Sequence, residues 1–261
     1  MAELMIDELW FSVSRVVPVR DKIDMPPATG SFYETGDQRF LVTNRHVVVD
    51  DSKNRFPDAL KFLVHVDRSN LRKNQELLIR LYDENKQPRW LEHPSIKSDV
   101  DIVAVNIEEI LPSQSVIRFI NSKDLFPNDF IMRFCEDCAI LGYPLGYYDD
   151  TYNLPVLRNA LLSTPYPIGF RGKNGFLVDA KLHKGSSGSP VFTKSQPGFK
   201  RRNGRAAHGP GVGDSFLGII SHAVSPEHTD DKLDLHWAWF GCLVEQIASQ
   251  DKNIQRHTHE A

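Results

Sequence analysis

The sequence predicts an all-β chain in two successive groups of short strands, ended by one helix. Three observations carry that reading. Short runs rich in Val, Ile, Leu and Phe recur along the chain, punctuated by Gly, Pro, Asn and Asp. They fall into two groups, over about residues 10–118 and 131–250, on either side of the polar segment 121–129. Only 242–250 has helical spacing, with Leu243, Ile247 and Ala248 on one side. Many short strands at this spacing make a sandwich or a barrel.

Taken in order, the first group holds expected strands at 10–18, 31–34, 40–43, 62–66, 76–82, 89–93 and 102–107. The second holds 138–141, 175–182, 190–193, 216–222 and 235–240. The chain is expected to divide into domains 1–120 and 121–261. Segment 194–214 lacks periodicity and carries Lys194, Lys200, Arg201, Arg202 and Arg205. It reads as a mobile, solvated loop, with contact to an acidic partner or nucleic acid as the alternative; the overall acidity argues against nucleic acid.

Composition narrows the function classes. With 41% hydrophobic and 25% charged residues the chain is globular. Its 31 basic and 34 acidic side chains, net −3, argue against a protein built to grip phosphate backbone, so nucleic acid is not the expected partner. Three cysteines form no disulfide framework. Cys135 and Cys138 make a C-x-x-C without two further ligands at matching spacing, so inert thiols are favoured over a redox pair or a zinc site. The N-terminus has Glu3, Asp7 and Glu8 where a signal peptide carries basic residues, and no apolar run nears the ~20 residues that cross a bilayer. A cytoplasmic location without membrane contact is expected.

Three local patterns carry chemistry. In FLVTNRHVVVD (40–50) an apolar strand runs into a polar turn and then His46. In SDVDIVAVNI (98–107) Asp101 immediately precedes an apolar strand, a costly place for a carboxylate without a partner. In HKGSSGSPVF (183–192) Ser187 sits within a glycine-flanked turn ahead of another strand. Ser-His-Asp catalysis accounts for all three. Ser187 is the nucleophile and needs a base. His46 has the right proton affinity to take and return its proton. Asp101 fixes the imidazole tautomer and stabilises the imidazolium. Gly185 lets its own N–H and that of Ser187 converge as an oxyanion hole, and Gly188 lets the chain leave the turn. Asp99 is the competing partner for His46, because strand alternation places it on the same face as Asp101.

The order His, Asp, Ser is that of chymotrypsin-type double barrels. At Thr43-Asn44-Arg45-His46-Val47, Asp101-Ile102-Val103-Ala104-Val105 and Gly185-Ser186-Ser187-Gly188-Ser189-Pro190 the chain resembles the trypsin-like serine peptidases, over residues 28–248. Thr29-Gly30-Ser31-Phe32, Leu141-Gly142-Tyr143-Pro144-Leu145-Gly146 and Asp179-Ala180 resemble the bacterial branch, near the high-temperature-requirement proteases and glutamyl endopeptidases. The resemblance implies two six-stranded antiparallel β-barrels with a C-terminal helix. It implies a serine endopeptidase that needs no metal or cofactor, acting on a protein or peptide.

By the same resemblance, Leu217–Ala223 lines the substrate groove. Ser221 would offer its carbonyl to the residue before the scissile bond, and Ala223 would pair with substrate backbone. Lys181, six residues before Ser187, lies where relatives have the pocket floor, while Lys184 flanks the substrate entrance. His222 is a further candidate for specificity, although glutamyl endopeptidases place their recognition histidine where Ile220 stands. Ser186 replaces the Asp that digestive relatives use to capture a new N-terminus, so activation by N-terminal cleavage is not expected. A second reading is kept: a gated or inactive scaffold that binds peptides and awaits an activating partner.

Overall fold

The structure, a computed structural model, describes residues 6–194, 199–207, 214–225 and 233–250. In chain order the first half contains β1 (Val13–Arg20), β2 (Ile23–Asp24), β3 (Ala28–Thr35), β4 (Gln38–Thr43), a one-turn helix α1 (Arg45–Val48), β5 (Ala59–His65), β6 (Asn74–Arg80), β7 (Trp90–Leu91) and β8 (Val103–Asn106). The second half contains β9 (Phe130–Ile131), β10 (Asp137–Gly142), β11 (Val156–Leu162), β12 (Gly175–Asp179), β13 (Pro190–Thr193), β14 (Phe199–Arg201), β15 (Ala206–Ala207), β16 (Phe216–Ala223), β17 (Leu235–Phe240) and α2 (Gly241–Ala248).

The fold is all-β with a C-terminal helix. The two halves close differently. In the second, β10-β11-β12-β17-β16-β13 form a closed six-stranded barrel. In the first, the hydrogen-bonded path β6-β5-β1-β3-β4-β8-β7, with β2 on β1, is an eight-stranded sheet. All named strand pairs in both are antiparallel.

Most apolar runs become strands because alternation and β-branched side chains suit a half-buried pleat. β11 was not anticipated. Its inward positions are Val156, Arg158, Ala160 and Leu162, while Leu157 and Leu161 face outward and stay exposed. Apolar residues on both faces and an inward Arg erase the period-two signal; pairing with β10 across six residue pairs imposes the strand instead. Segment 194–214 also departs from expectation. Its described part forms a hairpin of β14 and β15, with β14 paired to β9. Arg201 pairs with Asp129, and the Arg202 N–H donates to the Asp129 carbonyl. Residues 195–198 and 208–213 of that segment lie outside the described residues.

The apolar stretch 237–244 spans the end of β17 and the start of α2. α2 packs on both halves. Glu245 accepts hydrogen bonds from Tyr33 Oη (2.7 Å), Thr35 Oγ1 (3.1 Å) and Ser249 Oγ (2.6 Å). One buried cluster accordingly joins Tyr33, Val42 and Ile102 of the first half to Phe176, Phe216 and Phe240 of the second. Among the described residues no helix is long and apolar enough to cross a membrane.

Candidate active site

Strand register brings the first two motifs together. β4 and β8 pair as Phe40↔Asn106, Leu41↔Val105, Val42↔Ala104 and Thr43↔Val103. Continuing that antiparallel count past Thr43 carries Asp101 to the start of α1, where His46 sits. The end of the strand is thus a helical turn, not the bare strand end the motif suggested. Asn44 Nδ2 donates to the Asp101 carbonyl at 2.6 Å, which ties the two segments. The His46 backbone N–H donates to Asp101 Oδ1 at 2.9 Å, and His46 Nδ1 lies 2.7 Å from Asp101 Oδ2. Asp101, not Asp99, is the residue that meets the imidazole.

The third motif lies opposite. His46 Nε2 is 3.2 Å from Ser187 Oγ. An ionised carboxylate only accepts, so Nδ1 carries the ring proton and Nε2 presents a lone pair to the serine. The same Ser187 hydroxyl is 3.1 Å from the Ser221 carbonyl. Burial pushes the Asp101 carboxyl up, but the donors from His46 and Ser221 outweigh it and hold the group below its ordinary range.

The turn that carries Ser187 needs its glycines. Gly185 has φ +94° and Gly188 φ +87°. A Cβ on Gly185 would fall 2.5 Å from the Tyr143 carbonyl oxygen, and one on Gly188 2.0 Å from that of Thr29. Both conformation and space exclude a side chain. The Leu145 N–H donates to the Lys184 carbonyl at 2.5 Å. In a trans peptide the C=O and N–H point opposite ways, so the Gly185 N–H faces away from the 143–146 turn.

Sequence reasoning missed what holds this turn. Thr29 Oγ1 donates to the Gly185 carbonyl (2.9 Å) and accepts from the Tyr143 N–H (3.0 Å). The Thr29 N–H donates to the Ser187 carbonyl (2.9 Å), and Ser31 Oγ to the Gly188 carbonyl (2.8 Å). The available signal was a pair of hydroxyl residues at i and i+2, hence on one face of β3. It was also blind to the Ser221 hydroxyl, whose Oγ lies 2.6 Å from Asp101 Oδ2.

The remaining candidates scatter. Lys181 and Lys184 are exposed, and the Lys181 carbonyl accepts from Arg158. Ile220 is buried in the core, with its N–H on the Ser189 carbonyl. His222 and Ala223 are exposed at the end of β16. Beside them a cavity of about 500 Å³ is lined by His222, Trp237, Trp239, Lys173 and Asp99. Cys135 is exposed and Cys138 buried, both as free thiols, and burial raises Cys138 to about 12.

A family model described as a trypsin-like peptidase domain matches residues 28–196. In fold, the chain is similar to a thermostable serine protease from an extremophilic microorganism, at 14% identity and TM-score 0.53, covering 94% of this chain and 98% of that one. It is likewise similar to the serine endoprotease of Yersinia pestis, at 14% identity and TM-score 0.50, covering 95% of this chain and 67% of that one. No curated protein matches it.

Proposed function

The chain belongs to the trypsin-like peptidase domain family and is a serine endopeptidase; on that premise we propose that it hydrolyses peptide bonds through an acyl-enzyme on Ser187. The observation that carries the reading is the unbroken contact series Asp101 Oδ2–His46 Nδ1 (2.7 Å) and His46 Nε2–Ser187 Oγ (3.2 Å).

Ser187 Oγ attacks the scissile carbonyl carbon as its proton passes to His46 Nε2. Asp101 stabilises the imidazolium without taking the proton. The oxygen of the tetrahedral adduct faces the N–H groups of Gly185 and Ser187, a contribution of about 3 kcal/mol per donor. Collapse breaks the C–N bond, and the leaving amine takes the proton from His46. Water then repeats the sequence in reverse and frees the new carboxylate. Substrate backbone lies along Ser221–Ala223 as an added strand. The cleft runs between domains 1–120 and 121–261, which contribute His46 with Asp101 and Ser187 respectively.

Against the alternative of a gated scaffold stands the Lys184 carbonyl. In a closed oxyanion hole that oxygen would turn inward, whereas here it is engaged by the Leu145 N–H on the far side.

The test is fluorophosphonate labelling of the purified protein, read by intact mass. One adduct is expected on wild type and none on Ser187→Ala or His46→Ala. An unlabelled wild type, or a labelled Ser187→Ala, overturns the reading.

A further inference from the structure

The contact series does not end at Asp101. Ser221 Oγ lies 2.6 Å from Asp101 Oδ2 and 2.9 Å from His222 Nδ1. A serine hydroxyl has one proton, and a carboxylate can only accept. The short, charge-assisted contact to Asp101 therefore takes that proton. The contact to His222 is then a hydrogen bond only if Nδ1 carries a proton of its own. The tautomer is set: Nδ1–H points at Ser221, and Nε2 lies on the far side of the ring.

Two features keep the ring there. Alternation along β16 would send Ser221 and His222 to opposite faces, but the ladder to β17 shifts register between Ile220 and His222. Such a bulge re-aims neighbouring side chains. The imidazole also lies nearly parallel to the Trp237 indole, at 14° with centroids 6.5 Å apart. The face of His222 turned to the protein is partly desolvated, which lowers its proton affinity on balance although Asp101 raises it, and in either charge state Nδ1–H is retained.

We infer that His222 is a positioning residue for the chemistry at Ser187: its Nδ1–H holds the Ser221 hydroxyl with that hydroxyl's proton on Asp101 Oδ2, which in turn fixes the His46 ring. The series becomes His222–Ser221–Asp101–His46–Ser187. This inference rests on the acyl-enzyme reading. Because His222 and Trp237 also line the cavity of about 500 Å³, a peptide long enough to fill it touches the outermost member of the series.

Two substitutions separate a hydrogen-bonding role from a packing role. His222→Phe keeps a flat ring on Trp237 without the N–H. His222→Asn keeps an N–H close to the Nδ1 position with less packing. With a peptide substrate, H222F is expected to lower kcat about tenfold, the size of one lost hydrogen bond near a charge. H222N is expected to recover most of the lost kcat. In NMR spectra, the low-field proton on His46 Nδ1 should move in H222F and return in H222N. Equal kcat losses in the two variants, or no loss in either, overturn the inference. Fluorophosphonate labelling of wild type reports separately on the acyl-enzyme reading. Should wild type be unlabelled, the low-field proton still decides: unmoved in H222F, it overturns the role of His222.

Discussion

The two halves of the molecule hold the members of the His46–Asp101–Ser187 contact series by different means. In the first, His46 and Asp101 are brought together across a single strand pair, β4 against β8, and Ser221 of the second half adds one contact to Asp101 Oδ2. In the second, Ser187 sits on a turn that its own barrel does not hold unaided. The carbonyls of Gly185, Ser187 and Gly188 all accept from Thr29 or Ser31 on β3 of the first half. The His46–Asp101 pair thus owes its meeting mainly to one strand pairing within the first half. The turn that carries Ser187 is a long-range construction, on a closed barrel but secured from the opposite half. The strand that builds the first sheet, β3, also sets the turn that carries Ser187.

Four substitutions, with Gly204→Ala as a control, break or sharpen this contrast. Asp101→Asn acts on the His46–Asp101 pair. It removes the charge that orients the imidazole proton toward Asp101, and kcat should fall on the order of 10⁴-fold, about 5 kcal/mol in barrier, with folding retained. A loss under tenfold would mean that Asp101 does not orient His46. Gly188→Ala acts on the turn that carries Ser187, with a positive φ and a Cβ only 2.0 Å from the Thr29 oxygen. Urea unfolding should show a loss of about 3 kcal/mol or more. The control is Gly204→Ala, at φ +82° with open space around it, for which about 1 kcal/mol is expected from backbone conformation alone. Equal costs at both sites would remove the steric argument.

Thr29→Val keeps shape but leaves the Gly185 carbonyl and the Tyr143 N–H without their partner. A stability loss of about 2 kcal/mol is expected, with a fall in kcat and little change in KM. A fall in KM-side binding alone would show that β3 does not govern the oxyanion turn. The smallest effect is expected at Asp50, just past α1. Asp50, bonded by Lys53 and Ser52, is lowered to about 2. Between that value and the ordinary carboxylate value near ~4 the unfolded chain binds more protons than the native one, so stability falls as pH falls through this window. The stability gap between wild type and Asp50→Asn should be flat from about pH 7 to 5 and close below about 4. A gap independent of pH would assign it to packing.

Much of this molecule is legible in one dimension. Alternating apolar runs determine most strands, and the motifs around His46, Asp101 and Ser187 single those residues out within stretches of about ten residues. These three, named from motifs, stand within hydrogen-bonding distance of one another in series. Glycine was legible too, because positive φ leaves little choice of residue at 185 and 188. What stayed hidden depends on partners remote in sequence. β11 carries no alternation of its own and exists through its pairing with β10. The hairpin within 194–214 exists through β9. Thr29 reaches Gly185 across 156 positions, and Ser221 reaches Asp101 across 120. A hydroxyl side chain reads the same in sequence whether it faces water or holds a catalytic carboxylate. Periodicity and motif are local properties that the sequence alone determines; which hydroxyl meets which carbonyl was decided only when the halves packed and desolvated those groups, since a buried carbonyl or carboxylate must then find its donor within the protein.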